Sequence, residues 1–453
     1  MGHIANRFKI IEKALFKPAS IYPLVALRLA FGLSMAMWAL YMIFSGKVAD
    51  VFSQQVVHFP YSGFEWIKPL PFWGMTIVFI VLAITAIGMG AGWNYRRMGI
   101  VFTLSFAYVS LIDKASYLSY YYYVIIIALM LLVSPAYRLF SIDLIRKPSI
   151  RVDFAPVWLL WAFKLQVVMV FFFAGMAKLN SDWLYTGTPV TLWLQDTLQN
   201  LGFETTFLSS NAWIGLFLSW FLVLFDFIIP HFLLDSRTSI KAFFLVAFVQ
   251  LIGIFFLPTG FFPVLVILSC MVFLPSRIIH HFISRMSYFL YDVFQFKGDV
   301  FSAGGTFMLQ YRMRRLFPLI ASLFLAFQFV LPVYFYLSWG SFRWASTAFH
   351  FSWDIQINHQ KNAVSFFKVD KAKGQSEPIA VDHMLSPIQK ASMAADPAML
   401  KQFIGVLKEN NPQLSKPEVE IQAQSCVSFN GRPADCFTLS EPPEQIAEGS
   451  GYE

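Results

Sequence analysis

Four charged residues fall inside long apolar runs of this chain: Arg28, Lys164, Lys178 and Asp226. A charge in a membrane interior is costly, so each must pair, snorkel or take part in chemistry. Lys178 closes an apolar run in "FFFAGMAKLNSDW", behind small residues Ala174, Gly175 and Ala177 that let something approach the backbone. An amine desolvated by apolar neighbours favours its neutral form, which can act as a base. The same position suits an interfacial anchor, and residue types alone leave both readings open. Asp226 lies near the middle of its run and cannot snorkel far. A structural partnership with Lys164 is the first expectation for it, a direct catalytic role the second. Arg28, in the first third of its run, is expected to snorkel to headgroups. Lys164, two turns into its run, is expected to be structural, by snorkelling or in an ion pair.

The elements that carry these residues follow from composition. Of 453 residues, 57% are hydrophobic and 13% charged, and the mean hydropathy is +0.59, outside the range of soluble globular chains. Runs long enough for a hydrocarbon core lie near 21–45, 72–93, 97–112, 121–137, 157–179, 211–234, 241–257, 261–275 and 317–338, with 97–112 and 261–275 short. Loops on one side hold 18 Lys or Arg residues, and opposite loops hold Lys47, Lys68 and Lys114 before residue 339. That asymmetry predicts a cytoplasmic N-terminus and, after nine spans, an exported C-terminal part. The first apolar run lacks a cleavage site and is expected to remain as a span. The net charge of +8 is thus topology, and a nucleic-acid partner is excluded.

The expected fold is therefore a polytopic α-helical membrane protein of about nine transmembrane helices (1–338), followed by a small exported α+β domain (339–453). In that domain 351–358 and 363–370 alternate as strands joined by a polar turn "HQKN", residues 396–409 form a helix begun by Asp396-Pro397, and 418–429 form a strand. The last dozen residues have a disordered composition. Two outside loops, 46–71 and 180–210, are expected to cap the bundle at the interface, the second carrying Trp183 and Trp193 in an amphipathic pattern. Cys426 and Cys436 flank the turn-like "NGRP", where a disulfide closing a hairpin is the stronger reading and metal binding the weaker. Cys270 is expected to be inert packing. No nucleotide loop, dinucleotide fingerprint or zinc-spaced Cys/His cluster occurs, and no metal is expected.

Beyond these patterns, "RLAFGL", "HFPYSGFEWIKPLP", "YVSLIDKASY", "KLQVVMVFFFAGMAKLNSDW", "LVLFDF", "FSWDIQI", "DPAMLKQF" and "VSFNGRP" resemble stretches of the vitamin K-dependent gamma-glutamyl carboxylase family, also described as the HTTM family. The resemblance spans roughly 21–435, and "FFAGxAKLNxDW" followed by "FSWD" is its most specific part. It implies that a membrane lysine, here Lys178, deprotonates reduced vitamin K (phylloquinol or menaquinol). Reaction with O₂ then gives a strong base that removes a glutamate γ-proton, CO₂ adds, and quinone epoxide is released. The implied partners are the lipid bilayer, a lipid-soluble quinol and an exported glutamate-containing peptide or protein.

The sequence departs from the family where an Asn-His pair is normal: "YLSYYYY" puts Ser119 and Tyr120 there. A second family His and Asn correspond to Gln250 and Gly253. Tyr120 can donate a hydrogen bond but, with an ordinary phenol pKa near 10, is a poor stand-in for imidazole. Expected site residues are therefore Lys178 and Tyr120 as catalytic groups and Ser119, Tyr121, Trp183, Asp226 and Gln250 as pocket candidates. The retained half of the chemistry is quinol oxygenation, with or without carboxylation. The rival reading is a non-catalytic quinone- or lipid-binding or assembly protein that keeps the fold. With no propeptide-binding region visible, a divergent bacterial member is expected, in the inner membrane with its C-terminal domain in the periplasm.

Overall fold

Long apolar segments must satisfy their own peptide groups in lipid, and helices do so within one segment. The computed structural model describes residues 13–257, 260–294, 305–307, 313–338, 353, 359–370 and 375–440. Its helices are α1 (Tyr22–Phe44), α2 (Phe72–Ala91), α3 (Tyr95–Ile112), α4 (Tyr120–Val133), α5 (Val157–Ala177), α6 (Thr188–Asn200), α7 (Ala212–Leu234), α8 (Ser239–Phe256), α9 (Phe262–Cys270), α10 (Ser276–Phe294) and α11 (Met313–Ser338). Six are long and apolar enough to cross a membrane: α1, α2, α5, α7, α8 and, within α11, Leu316–Tyr334. Phe262–Phe273 and Ser276–Met286, bent by 105°, make a seventh if they are one span. The nine expected runs are helical, but α3 carries Arg96 and Arg97 in its first turn and α4 has 14 residues. A helix of that length rises about 21 Å, short of a core of about 30 Å.

The α1 helix is the hub. Phe31, Met35 and Ala39 on α1 join Phe79, Phe102, Phe106 and Phe163 in one buried cluster. Helix α8 lies at the periphery and exposes Phe244, Phe248 and Phe255, as suits a lipid-facing helix. Arg28 does not snorkel. It is fully buried, and its guanidinium donates to the carbonyls of Ala136 (2.8 Å), Leu139 (3.3 Å) and Phe140. The chain leaves α4 through a 3₁₀ turn there, so these carbonyls lack helical partners and the arginine supplies them.

Short strands β1 (Pro18–Ser20), β2 (Val152–Pro156) and β3 (Gly305–Thr306) form a small sheet at the helix starts. The C-terminal unit is a second sheet, ordered β5 (Ser376–Ile379), β4 (Gln360–Asp370), β6 (Val419–Phe429), β7 (Asp435–Ser440), all antiparallel. "HQKN" is not a turn: Gln360, Lys361 and Asn362 already pair with Phe429, Ser428 and Val427. The long register with β6 extends the strand through a polar stretch that sequence alternation alone does not mark. The expected strand 351–358 lies outside the described residues except for Trp353. Helices α12 (Pro387–Ala394) and α13 (Pro397–Asn410) cover the sheet. Ser386 and Gln389 close a capping box on α12, and Asp396 caps α13 by accepting from the Ala398 N–H at 2.9 Å.

Loop 46–71 does more than lie at an interface. Val57 and Phe59 enter the core of the C-terminal unit with Phe366, Leu400 and Phe403, and Phe59 lies 6.4 Å from Phe403. Gln389 donates to the Val57 carbonyl at 2.8 Å, and Lys114 pairs with Asp396. The sheet unit is thereby fixed over the ends of α3 and α4.

Candidate active site

Helix α5 stops at Ala177, and Lys178 caps it. Helical side chains lean toward the N-terminus, and Lys178 follows: its Nζ donates to the Ala174 carbonyl at 2.9 Å and to Asp226 Oδ2 at 2.6 Å. Both side chains of the pair are 12% exposed. The Nζ also lies 5.5 Å from the centroid of the Trp183 ring.

Asp226 thus partners Lys178 and not Lys164. The reason is a difference in helix extent. The first two turns of α7 run beyond the end of α5, alongside the turn Asp182–Thr186: Ser219 donates to the Trp183 carbonyl at 2.7 Å, and Trp220 to the Leu184 carbonyl at 3.0 Å. The middle of α7 consequently lies level with the end of α5. What approaches the small residues before Lys178 is Phe227, since a Cβ on Gly175 would sit 3.0 Å from its ring. Lys164 instead lies over the rings of Trp161 (5.6 Å) and Phe273 (5.5 Å) and forms no ion pair among the described residues.

Trp183 is held from several directions. Asn180 Oδ1 accepts from the N–H groups of Asp182 (3.1 Å) and Trp183 (3.4 Å), which folds the chain back after α5. Gly187 then adopts a left-handed backbone (φ 62°) and crosses Gly215: a Cβ on Gly187 would collide with the backbone of Gly215 and Leu216, and one on Gly215 with the Thr191 side chain. Trp183 is buried and meets Trp193 edge to face at 6.0 Å. The neighbouring Asp182 accepts from Asn430 at 2.7 Å and from Arg432, so "NGRP" seats the C-terminal unit directly behind the tryptophan.

Tyr120 and Tyr121 belong to a different cluster. Tyr120 starts α4 and faces Phe261 at 6.4 Å and Tyr121 at 5.1 Å. Tyr121 is packed among Trp38, Phe106 and Tyr117. Ser119 is the N-cap of α4 and makes no capping hydrogen bond. Gln250 is half-buried on α8 and forms no hydrogen bond among the described residues. Among those residues no hydrogen bond, ion pair or ring contact joins Tyr120 to Lys178. The two clusters flank the α8–α9 turn, with Leu257 on the Trp183 side and Phe261 on the Tyr120 side.

Trp353, from "FSWD", was not among the expected site residues. It is buried, 5.1 Å from Tyr122 and 5.7 Å from Tyr123, and Tyr122 donates to Gln328 Oε1 at 2.6 Å. Its motif was the available signal. Cys426 and Cys436 are bonded across β6 and β7, and Cys270 is buried and free.

Residues 16–277 match the HTTM domain, and residues 313–442 match the vitamin K-dependent gamma-carboxylase lumenal domain. The chain belongs to the vitamin K-dependent gamma-carboxylase family. No solved structure matches it. In this gamma-carboxylase family member Lys178, Asp226 and Trp183 lie in the HTTM part, and Asn430 and Arg432, which brace the adjacent Asp182, lie in the lumenal-domain part. The family implies reduced vitamin K, O₂ and CO₂. The donor set beside α5 fits the hydroxyl of a hydroquinone in its chemistry: an amine that can meet a phenolic hydroxyl and a carboxylate that can share the proton.

Proposed function

We propose that this protein is a membrane-embedded, quinol-dependent carboxylase-like enzyme in which Lys178, paired with Asp226, deprotonates reduced vitamin K. The observation that carries this reading is the 2.6 Å Lys178–Asp226 pair beside the face of Trp183. Bound reduced vitamin K, with O₂, supplies the oxidative driving force for removing a glutamate γ-proton before CO₂ adds.

The chain's own residues divide the proton work. Lys178 Nζ accepts a proton only as the neutral amine. Asp226 Oδ2 is the acceptor for the proton the ammonium gives up, and the Ala174 carbonyl keeps the nitrogen oriented in either state. A proton passed from the ammonium to the carboxylate leaves the pair's net charge unchanged and frees the amine to take one proton from a substrate hydroxyl, which the pair then carries as one positive charge. Trp183 walls the nitrogen on one side. Tyr120, which shares no contact with the lysine among the described residues, is suited to orient a substrate group by its hydroxyl and not to replace an imidazole.

The topology that agrees with this chemistry has nine membrane helices, the N-terminus in the cytoplasm and the C-terminal unit exported, in a bacterial inner membrane facing the periplasm. It lets a lipid-borne phylloquinol or menaquinol meet an exported glutamate-containing chain at the Lys178 end of α5. The test is aerobic incubation of the protein in nanodiscs with reduced vitamin K or menaquinol, reading quinone epoxide by chromatography. Epoxide from wild type, lost in Lys178→Ala and Lys178→Arg, is the expected result. No epoxide from folded protein across several quinols would replace this reading with a quinone-binding or assembly role.

A further inference from the structure

Helix α4 ends where α5 and α11 begin, and the three helices leave an apolar groove of about 230 Å³ at that end. Val133, Trp158, Ala162, Phe317, Ile320 and Phe324 are among its walls. The groove is about 16 residues along α5 from Lys178, roughly 24 Å at 1.5 Å per residue, so it is separate from the site above.

Trp158 is the one wall residue that carries a side-chain N–H. The indole Nε1 of Trp158 is buried and has no hydrogen-bond partner. A buried N–H without an acceptor is costly, and in a groove beside lipid the natural acceptor is a carbonyl oxygen. Tryptophan is the residue that favours this depth, apolar on one side and polar on the other.

Two arginines stand outside the groove's walls, just past the end of α4 that forms one of them. Arg138 follows Val133 by five residues, and its guanidinium lies 4.7 Å from the Phe307 ring and 5.7 Å from the Tyr137 ring. Phe307 donates its N–H to the Phe154 carbonyl at 2.7 Å, one turn's length of chain before Trp158. Arg96 packs against the same Tyr137 ring at 5.8 Å. Among the described residues neither arginine forms an ion pair, and the Arg138 Nε is buried without a hydrogen-bond partner. Two cations on one ring with no carboxylate, beside an indole with no acceptor and an apolar groove, leave unmatched an anion, a carbonyl and a chain.

We propose that this corner binds one anionic glycerophospholipid, its phosphate at Arg138 and Arg96, an ester carbonyl on Trp158 Nε1 and an acyl chain in the groove. Such a lipid supplies the three missing groups in one molecule: a phosphate, an ester carbonyl and an acyl chain. A quinone offers the carbonyl and the chain but no charge for the arginines. Basic pockets between membrane helices are known to bind anionic headgroups. The inference needs only the membrane-spanning part of the reading above, and not the lysine chemistry.

The experiment is native mass spectrometry of the full chain in detergent, titrated with phosphatidylglycerol, phosphatidylcholine of the same acyl chains, or menaquinone. Wild type should hold phosphatidylglycerol at a concentration about fivefold or more below phosphatidylcholine. Arg138→Gln should erase that preference, Arg138→Lys should keep most of it, and Trp158→Phe should weaken both lipids alike. Equal retention of both lipids by wild type, or an unchanged preference in Arg138→Gln with a wild-type melting temperature, would overturn the proposal. Menaquinone displacing phosphatidylglycerol with no dependence on residue 138 would assign the groove to a quinone instead. Epoxide formation plays no part in these readouts, so failure here is distinct from failure of the lysine reading.

Discussion

Lys178 Nζ and Asp226 Oδ2 stand 2.6 Å apart on α5 and α7, each side chain 12% exposed. Removing one member of such a pair leaves a buried charge unmatched, which typically destabilises by about 3–5 kcal/mol, whereas replacing both by apolar groups is often neutral. Asp226→Asn should therefore lower the melting temperature markedly, and Lys178→Met/Asp226→Leu should recover most of the loss. Both should lack epoxide-forming activity. A recovered melting temperature with retained activity in the double variant would remove the pair from the chemistry.

The link between the sheet unit and the bundle can be tested at Asp182. Its carboxylate accepts from Asn430 and Arg432 and is 9% exposed, while the Arg432 side chain is 45% exposed. Solvent screens the arginine contact, so the expected loss is nearer about 1–3 kcal/mol than that of a fully buried pair. Asp182→Ala should speed hydrogen exchange at residues 428–434. It should leave α13 protected, because Phe59 and Phe403 hold that helix independently. Equal loosening of α13 would mean that the Asp182 contact secures the whole unit.

Depth explains what the sequence could and could not convey. Lys178, Asp226 and the helical runs are legible because charge inside apolar periodicity is rare. The partner of Asp226 is not, because pairing depends on where α5 stops and on the Asp182–Thr186 turn that lets α7 run past it. Arg28 reads as a snorkelling residue until the chain folds back and presents the carbonyls of Ala136 and Leu139 to it. Phe59 looks like an interfacial aromatic. Its burial beside Phe403, more than three hundred residues later, is a tertiary fact with no local signal. Tyr120 corresponds to a family histidine, yet nothing in its own sequence says that it packs against Tyr121 and Phe261, away from Lys178.

The bond between Cys426 and Cys436 closes a ten-residue separation and ties edge strand β7 to β6. Restricting a loop of that size in the unfolded chain is worth about 2–3 kcal/mol. Replacing both cysteines by serine should lower the unfolding temperature of the sheet unit and raise exchange in β7 first. The α12–α13 core, built on Met393, Leu400 and Phe403, should keep its protection near neutral pH. Loss of protection throughout would mean that β7 is required for the sheet to form.

His58 sets a pH dependence with a definite sign. It stands between Val57 and Phe59, whose side chains enter the sheet unit's core, and its Nε2 is buried without a hydrogen-bond partner. Burial penalises the imidazolium and holds the folded pKa below the ordinary 6.5, against the opposing pull of Asp113 and of backbone hydrogen bonds to Phe52 and Val51. The unfolded chain then binds its proton at higher pH than the folded one. Stability contributed by neutral His58 is complete above about pH 6.5 and falls as the pH drops through the folded pKa. Wild type should accordingly melt lower at pH 5.5 than at pH 7.5, and His58→Gln, which cannot become charged, should show a smaller difference. Carboxylates that do not face His58 contribute equally to both chains and cancel in the comparison. An identical pH difference in the two would locate the acid sensitivity away from His58.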